Sequence, residues 1–245
     1  MRKSLILLIG IMITICLFPL GIFAESNDVS KLSDKELLEL ANNGVYIHTD
    51  TVEVKPVNKD AVKFEAVRKD VLKTDLNFIE INKRIDNEKW YKYVYGSATI
   101  FSNDENSKGT GTNQYSGSYG RTVYGIAYLT YTTKTFSGSL TAKKPTHSDG
   151  KITSVSSGLT VPNFRVRYVS NGTGLDSNGN PHYTNLDISR SYSNTFTKCG
   201  FNPNEPYYIL SGTQSQATTE LKAAVRNSSD TSVIYGYLVV TVTLY

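Results

Sequence analysis

The residues able to do chemistry in this chain are few and scattered. Its three histidines, His48, His147 and His182, lie far apart, and no partner stands at metal-ligand spacing from any of them. A His-Glu-x-x-His zinc motif, a Gly-x-Ser-x-Gly nucleophile elbow and a paired-cysteine signature are all missing. Cys199 with one of the histidines would make a nucleophilic dyad, but nothing in the spacing selects which histidine. Lys108-Gly109-Thr110-Gly111-Thr112 lacks the glycine spacing ahead of a Lys-Ser/Thr pair, and no helical pattern follows to cradle a phosphate. The sequence therefore nominates no catalytic residue and no organic cofactor.

One local motif fits a cation. Oxygen-bearing side chains alternate at Asp176, Asn178 and Asn180, with Asp187 farther on, and calcium binds through several such oxygens at once. These four are the expected ligands if calcium is held. Gly179 sits two positions earlier than a calcium loop demands, so the competing expectation is a hairpin tip in which Asn-Gly supplies a positive φ.

Aromatic contact is the second candidate chemistry. The chain holds 17 tyrosines, and exposed tyrosine on a strand offers rigid, amphipathic area for sugars or proteins. Tyr124, Tyr128 and Tyr131 are the expected ligand surface. Alternation puts Tyr124 and Tyr128 on one strand face with Ile126, and Tyr131 on the other with Leu129. One of those faces is expected to be core.

The elements that must position these groups are mostly strands. Helix is predicted only from Ser33, where Ser33-Asp34-Lys35-Glu36 has the capping-box form and Asn42-Asn43-Gly44 closes it. Strands are predicted over 45–55, 61–67, 91–101, 121–134, 151–161, 164–169, 183–196, 207–210, 214–225 and 233–244, all rich in β-branched and aromatic residues. Turn clusters fall at 103–120, 143–150, 171–180 and 226–231; the segment 68–86 fits helix and strand equally. Polar connectors without long helices predict a mainly β fold, an antiparallel sandwich or barrel-like sheets with one short N-terminal helix.

Residues 131–161 form a distinct tract: Thr132, Thr133, Thr135, Ser137, Ser139 and Thr141 precede a basic tip at Lys143-Lys144, and Thr153, Ser154, Ser156, Ser157 and Thr160 follow. Two Ser/Thr-rich strands around a polar turn are similar in composition to the membrane-inserting hairpin of aerolysin-type pore-forming toxins. That resemblance implies a β-pore-forming toxin with a lipid partner, and covers about thirty residues without a specific motif.

The N-terminus bears on where this chemistry operates. Arg2 and Lys3 precede an apolar run from Leu5 to Leu20 that ends at Ala24, the pattern of a signal peptide over 1–24. Cutting after Ala24 leaves 221 of the 245 residues, a formal net charge of about +2 and Cys199 as the sole cysteine, so an intrachain disulfide is excluded. The expected organisation is a segment 25–88 carrying the helix and first strands, and a Tyr/Thr-rich β region 89–245, with the two able to form one domain. Residues 25–105 hold 12 Lys+Arg against 16 Asp+Glu, and 106–245 hold 12 against 6. No basic run longer than two occurs in the second half, so a nucleic-acid partner is not expected. The expectation is a secreted, non-catalytic protein of bacterial type that binds a cell-surface, wall or other extracellular polymer or protein.

Overall fold

A computed structural model describes residues 29–56, 59–69, 71–102, 120–193, 195–210 and 215–245. The expected signal peptide and, apart from Gly120, the tract 103–120 lie outside the described residues.

Helix α1 (Asp34–Asn42) begins as the sequence predicts. Ser33 Oγ accepts from the Glu36 N–H at 3.3 Å, and the Ser33 N–H donates to Glu36 Oε2 at 2.7 Å. Two orphan amides are thus satisfied reciprocally. The chain leaves the helix through Gly44 at φ +77°, whose N–H donates to Ala41 O. Nine residues do not make a stable isolated helix, so α1 depends on docking Leu37 and Ala41, 0% and 4% exposed, onto the sheet.

Among the described residues after it, two 3-10 turns (Lys59–Ala61 and Ser137–Ser139) punctuate strands that all pair antiparallel. The strands are β1 (Ile47–His48), β2 (Val52–Pro56), β3 (Val62–Ala66), β4 (Val71–Arg84), β5 (Lys89–Ser102), β6 (Arg121–Phe136) and β7 (Leu140–Val155), then β8 (Leu159–Thr160), β9 (Phe164–Leu175), β10 (Pro181–Tyr192), β11 (Cys199–Phe201), β12 (Tyr208–Leu210), β13 (Gln216–Asn227) and β14 (Ile234–Leu244). They run β1-β2-β4-β5-β6-β7-β12-β9-β13-β14-β3, with β10 added to β9, β11 to β7 and β8 to β13. The mainly β reading holds, and the sheet is not closed into a barrel.

The sheet bends so that β13, β14 and β3 lie across β5, β6 and β7 as a second layer. Glycine permits the approach. A Cβ on Gly96 would stand 2.7 Å from Val62, on Gly125 2.7 Å from Leu221, and on Gly150 2.7 Å from the same Leu221. These glycines sit on three successive strands and let the opposing aliphatic side chains reach the backbone. Val94, Leu129, Ile152, Val166, Leu221, Leu238 and Val240 fill the space between the layers at 0% exposure.

One edge of that interior is ionic. Glu80 Oε1 faces Lys92 Nζ at 3.0 Å and Lys55 Nζ at 3.4 Å, and Lys92 also donates to Thr243 O at 2.7 Å. The β4–β5 edge is thereby tied to the end of β14. Strands of 25–88 pair with strands of 89–245 at β4–β5 and β3–β14, so both segments share one sheet.

One ambiguity is resolved and two local expectations are corrected. Within the segment 68–86, residues Val71–Arg84 are strand β4, held between β2 and β5. Strand β9 runs to Leu175, so the predicted turn at 171–180 is confined to the link before β10. The predicted turn at 143–150, with its basic tip at Lys143-Lys144, lies inside β7; the hairpin turns at Ser137–Ser139 instead, where Gly138 and Ser139 take φ +81° and +63°. Thr135 and Thr141 bridge at 3.2 Å just before that tip.

Candidate functional site

The outward face of β5, β6 and β7 carries a tyrosine cluster beside a buried carboxylate. Alternation along β5 sends Tyr91 and Tyr93 to this face, and register places Tyr128 of β6 opposite Tyr93. The three rings form a triangle with centroid separations of 5.2, 5.3 and 5.7 Å. Helix α1 covers one side through Leu37 and Ala41, which pack with Tyr93 and Tyr128. Tyr91, half-buried, is left at the open side.

Asp149 of β7 stands opposite Tyr128 in the register and is 5% exposed. Its other neighbour is Gly200 of β11, and a side chain there would force a shift: a Cβ would lie 2.2 Å from Asp149 Oδ1 and 2.1 Å from Ser148 O. Lys198, just ahead of β11, brings its ammonium to 3.4 Å from Asp149 Oδ2. The same nitrogen lies 4.7 Å from the Tyr91 ring centre and 4.6 Å from that of Tyr128, within cation–π range of both. His147, two residues from Asp149 and on the same face, places Nε2 at 3.8 Å from Asp149 Oδ1.

A β-bulge shapes the opening. Thr130 pairs with His147 but Tyr131 pairs with Pro145, so Thr146 is the extra residue on β7. Proline fits there because a bulge relaxes the demand for a ladder N–H. Ile85, Lys89, Tyr91, Thr130, Thr146, His147, Asp149, Lys198 and Asn202 line a cleft of about 720 Å³ at this place. Burial, then the neighbouring Tyr128 and the Asp34 and Asp149 carboxylates, push the Tyr91 phenol far above its ordinary range. Burial and Asp34 raise Tyr128 to about 12. Both are neutral phenols at any physiological pH, with intact ring faces for contact.

The residues predicted from sequence are not gathered in one place. Tyr128 does not itself line the cleft; it is 7% exposed, packed behind Tyr91 and beneath Lys198. Tyr124 shares that outward face but packs on Tyr95, centroids 5.8 Å apart. Tyr131 is corrected to a core residue. It is 2% exposed on the inner face, stacked with Trp90, and its hydroxyl donates to Asn82 Oδ1 at 3.1 Å.

Of the four expected calcium ligands, Asp176, Asn180 and Asp187 make side-chain hydrogen bonds within the protein. Asp176 Oδ1 accepts from the N–H groups of Asn178 and Asn180, at 2.8 and 2.9 Å, and Oδ2 accepts from Asn180 Nδ2 at 3.0 Å. These bonds hold the carboxylate well below the usual range, so it closes the link between β9 and β10 as an anion. Gly179 there takes φ +91°, as an Asn-Gly tip requires. Asp187 lies along β10, opposite Val169, and accepts from Arg167 Nε and Nη2 at 2.8 and 2.6 Å. Among the described residues, no group of three or more His, Cys, Asp or Glu is placed to hold a metal ion. Cys199 is half-buried at the start of β11.

Sequence reasoning missed Tyr91, Asp149, His147, Lys198 and Asn202. The available signal was the i, i+2 spacing of Tyr91 with Tyr93 and of His147 with Asp149, which the turn assigned to 143–150 concealed. Comparison with known protein families, curated proteins and solved structures finds no match to this chain.

Proposed function

We propose that the chain is an exported, non-catalytic binding protein that captures an extracellular ligand, a polymer or protein of the cell or wall surface, in the cleft beside Tyr91. The observation that carries this reading is Asp149: a carboxylate 5% exposed at the floor of an open cleft, next to an aromatic face. Ligand sites combine such apolar surface with a few fixed polar groups. Burying a carboxylate is costly unless it is paired. Here the partners, Lys198 and His147, are themselves 40% and 51% exposed and lie at the mouth. The arrangement favours recognition because its carboxylate is fixed by paired strands while the Lys198 ammonium stays free to move.

Retention on cell-wall material, polysaccharide arrays and surface proteins tests this. Wild-type protein should be retained on at least one, and Tyr91→Ala should reduce retention about tenfold. Equal retention by the variant, or none by the wild type, would overturn the reading.

Pore formation is the second reading, favoured by one observation. Strands β6 and β7 are 16 residues each, longer than the roughly 9–11 residues a membrane strand needs. Insertion would ask more of the molecule. β5, β11 and β12 all pair with this hairpin, and Lys134 near its tip donates to Ser177 O at 2.8 Å. Dye release from liposomes decides between the two: release supports the pore, and its absence at concentrations saturating ligand retention removes it.

A further inference from the structure

We infer that the cleft recognises a phosphocholine-type zwitterion, a quaternary ammonium linked to a phosphate, and that the Lys198 ammonium occupies the ammonium position in the free protein. This rests on the binding reading above and names its ligand chemistry. The geometry around Lys198 Nζ is that of a cation receptor. Two tyrosine ring centres lie 4.7 and 4.6 Å away, and a buried carboxylate oxygen lies at 3.4 Å. Aromatic faces with an adjacent carboxylate are the general means of holding alkylated ammonium groups.

Lys198 is a replaceable occupant. Its side chain is 40% exposed on a flexible four-carbon stem, and water readily solvates its ammonium once it leaves. A quaternary ammonium is more weakly hydrated and presents methyl groups to the rings, so exchanging one cation for the other favours the ligand on desolvation. Asp149 keeps a counter-charge throughout the exchange and never becomes a buried, unpaired carboxylate. Gly200 leaves room for that carboxylate, since a Cβ there would stand 2.2 Å from Asp149 Oδ1.

The remaining charges specify the phosphate. Lys89 lines the same cleft, and the displaced Lys198 stays tethered at its mouth. A ligand whose anion sits a few bonds from its cation returns a partner to Lys198 and gains Lys89 as a second. A bare anion would leave the aromatic faces covered by Lys198, and a bare ammonium would leave the cations without a partner.

Calorimetric titration with phosphocholine, choline and inorganic phosphate tests the assignment on the full chain. The expected order is phosphocholine tightest, then choline, then phosphate. Asp149→Asn should weaken both choline-bearing ligands about tenfold while leaving phosphate nearly unchanged. Lys198→Ala supplies the discriminating result. With the internal competitor gone choline should bind about tenfold more tightly, and the preference for phosphocholine over choline should shrink. A merely structural lysine would give neither change. Lys198→Ala removes a partner of the buried Asp149, so its fold is checked by circular dichroism and thermal melting before titration; if it is destabilised, the double variant Asp149→Asn/Lys198→Ala, which leaves no buried charge unpaired, replaces it and should lose the preference for phosphocholine over phosphate. Phosphocholine binding no tighter than phosphate, or choline binding unaltered in Lys198→Ala, overturns the proposal.

Two arms identify the source. Co-flotation with phosphatidylcholine vesicles but not phosphatidylglycerol vesicles supports a lipid headgroup; retention on a phosphocholine-conjugated polymer, with no flotation, supports a polymer-borne group. If a polysaccharide is retained in a Tyr91-dependent manner and phosphocholine does not compete, the binding reading stands and this assignment fails.

Discussion

Replacing Gly200 with alanine tests the β11–β7 contact that fixes the carboxylate wall of the cleft. The added Cβ would stand 2.1 Å from Ser148 O, 2.2 Å from Asp149 Oδ1 and 2.6 Å from Asp149 Cα. Two of these are backbone atoms of β7, which is held by β6 on one side and by β11 and β12 on the other. β7 cannot retreat, so either β11 lifts or Asp149 rotates away. Lifting β11 withdraws Phe201, 4% exposed, from the core, and burial of such a ring is worth about 1.5–3 kcal/mol. It also strains a ladder whose hydrogen bonds contribute about 0.5–1.5 kcal/mol each. Overpacked sites typically lose about 1–3 kcal/mol, and because this clash meets backbone as well as side chain, about 2–4 kcal/mol is expected. For a chain of this size that lowers Tm by on the order of 10 °C. Gly125→Ala is the control. Its Cβ would meet Leu221 Cδ2 at 2.7 Å, the far end of a flexible side chain that can turn aside, so it should cost less, about 1–2 kcal/mol. Urea unfolding of both variants, with the m-value as a check on two-state behaviour, gives the comparison. Gly200→Ala within about 0.5 kcal/mol of wild type would refute the close β11–β7 contact, and the carboxylate wall with it.

The other predictions follow from the ion network, the helix cap and the surface carboxylates. Glu80→Gln removes the counter-charge of Lys92, whose side chain is 11% exposed; since Lys55 can turn to water, a loss near the low end of about 3–5 kcal/mol is expected in urea, and a loss below 1 kcal/mol contradicts it. Ser33→Ala deletes the capping box and should cost about 0.5–2 kcal/mol, with faster amide exchange in α1 and no change in β13; uniform acceleration would show that the helix is not a separate unit. The carboxyls of Asp176, Asp187 and Asp230 are held below the ordinary 3.8 by the Asn180, Arg167 and Ser232 hydrogen bonds respectively. A depressed folded pKa adds stability that is complete above the unfolded value and is lost as pH falls through the folded one, so stability should decline below about pH 4. Asp187→Asn should flatten that slope, and an unchanged acid limb in thermal melts from pH 2 to pH 5 would count against the Arg167 pairing.

What the sequence discloses and what it hides divide along one physical line, the range of the interaction. Ser33 and Glu36 are three residues apart and interact directly, so the cap of α1 is readable from four letters. The strands of β5, β6, β13 and β14 are readable because their β-branched and aromatic residues alternate on their own. β7 is hidden because its punctuating residues answer to other strands: Pro145 sits at the bulge opposite Tyr131, and Gly150 makes room for Leu221 of β13. Read locally, both residues mean a turn. The same misreading breaks the i, i+2 relation of His147 and Asp149, and with it the one local trace of the cleft. Tyr128 and Tyr131 illustrate the converse: both are strand tyrosines, yet parity alone sends one to the outward cluster under α1 and the other to the core beside Trp90. Which parity faces solvent is fixed by the second layer, formed about a hundred residues later. A site assembled from alternate residues of three paired strands and a lysine from a fourth segment leaves only a period of two in the sequence. Every half-buried strand shares that period, so the cleft becomes visible only once register is known.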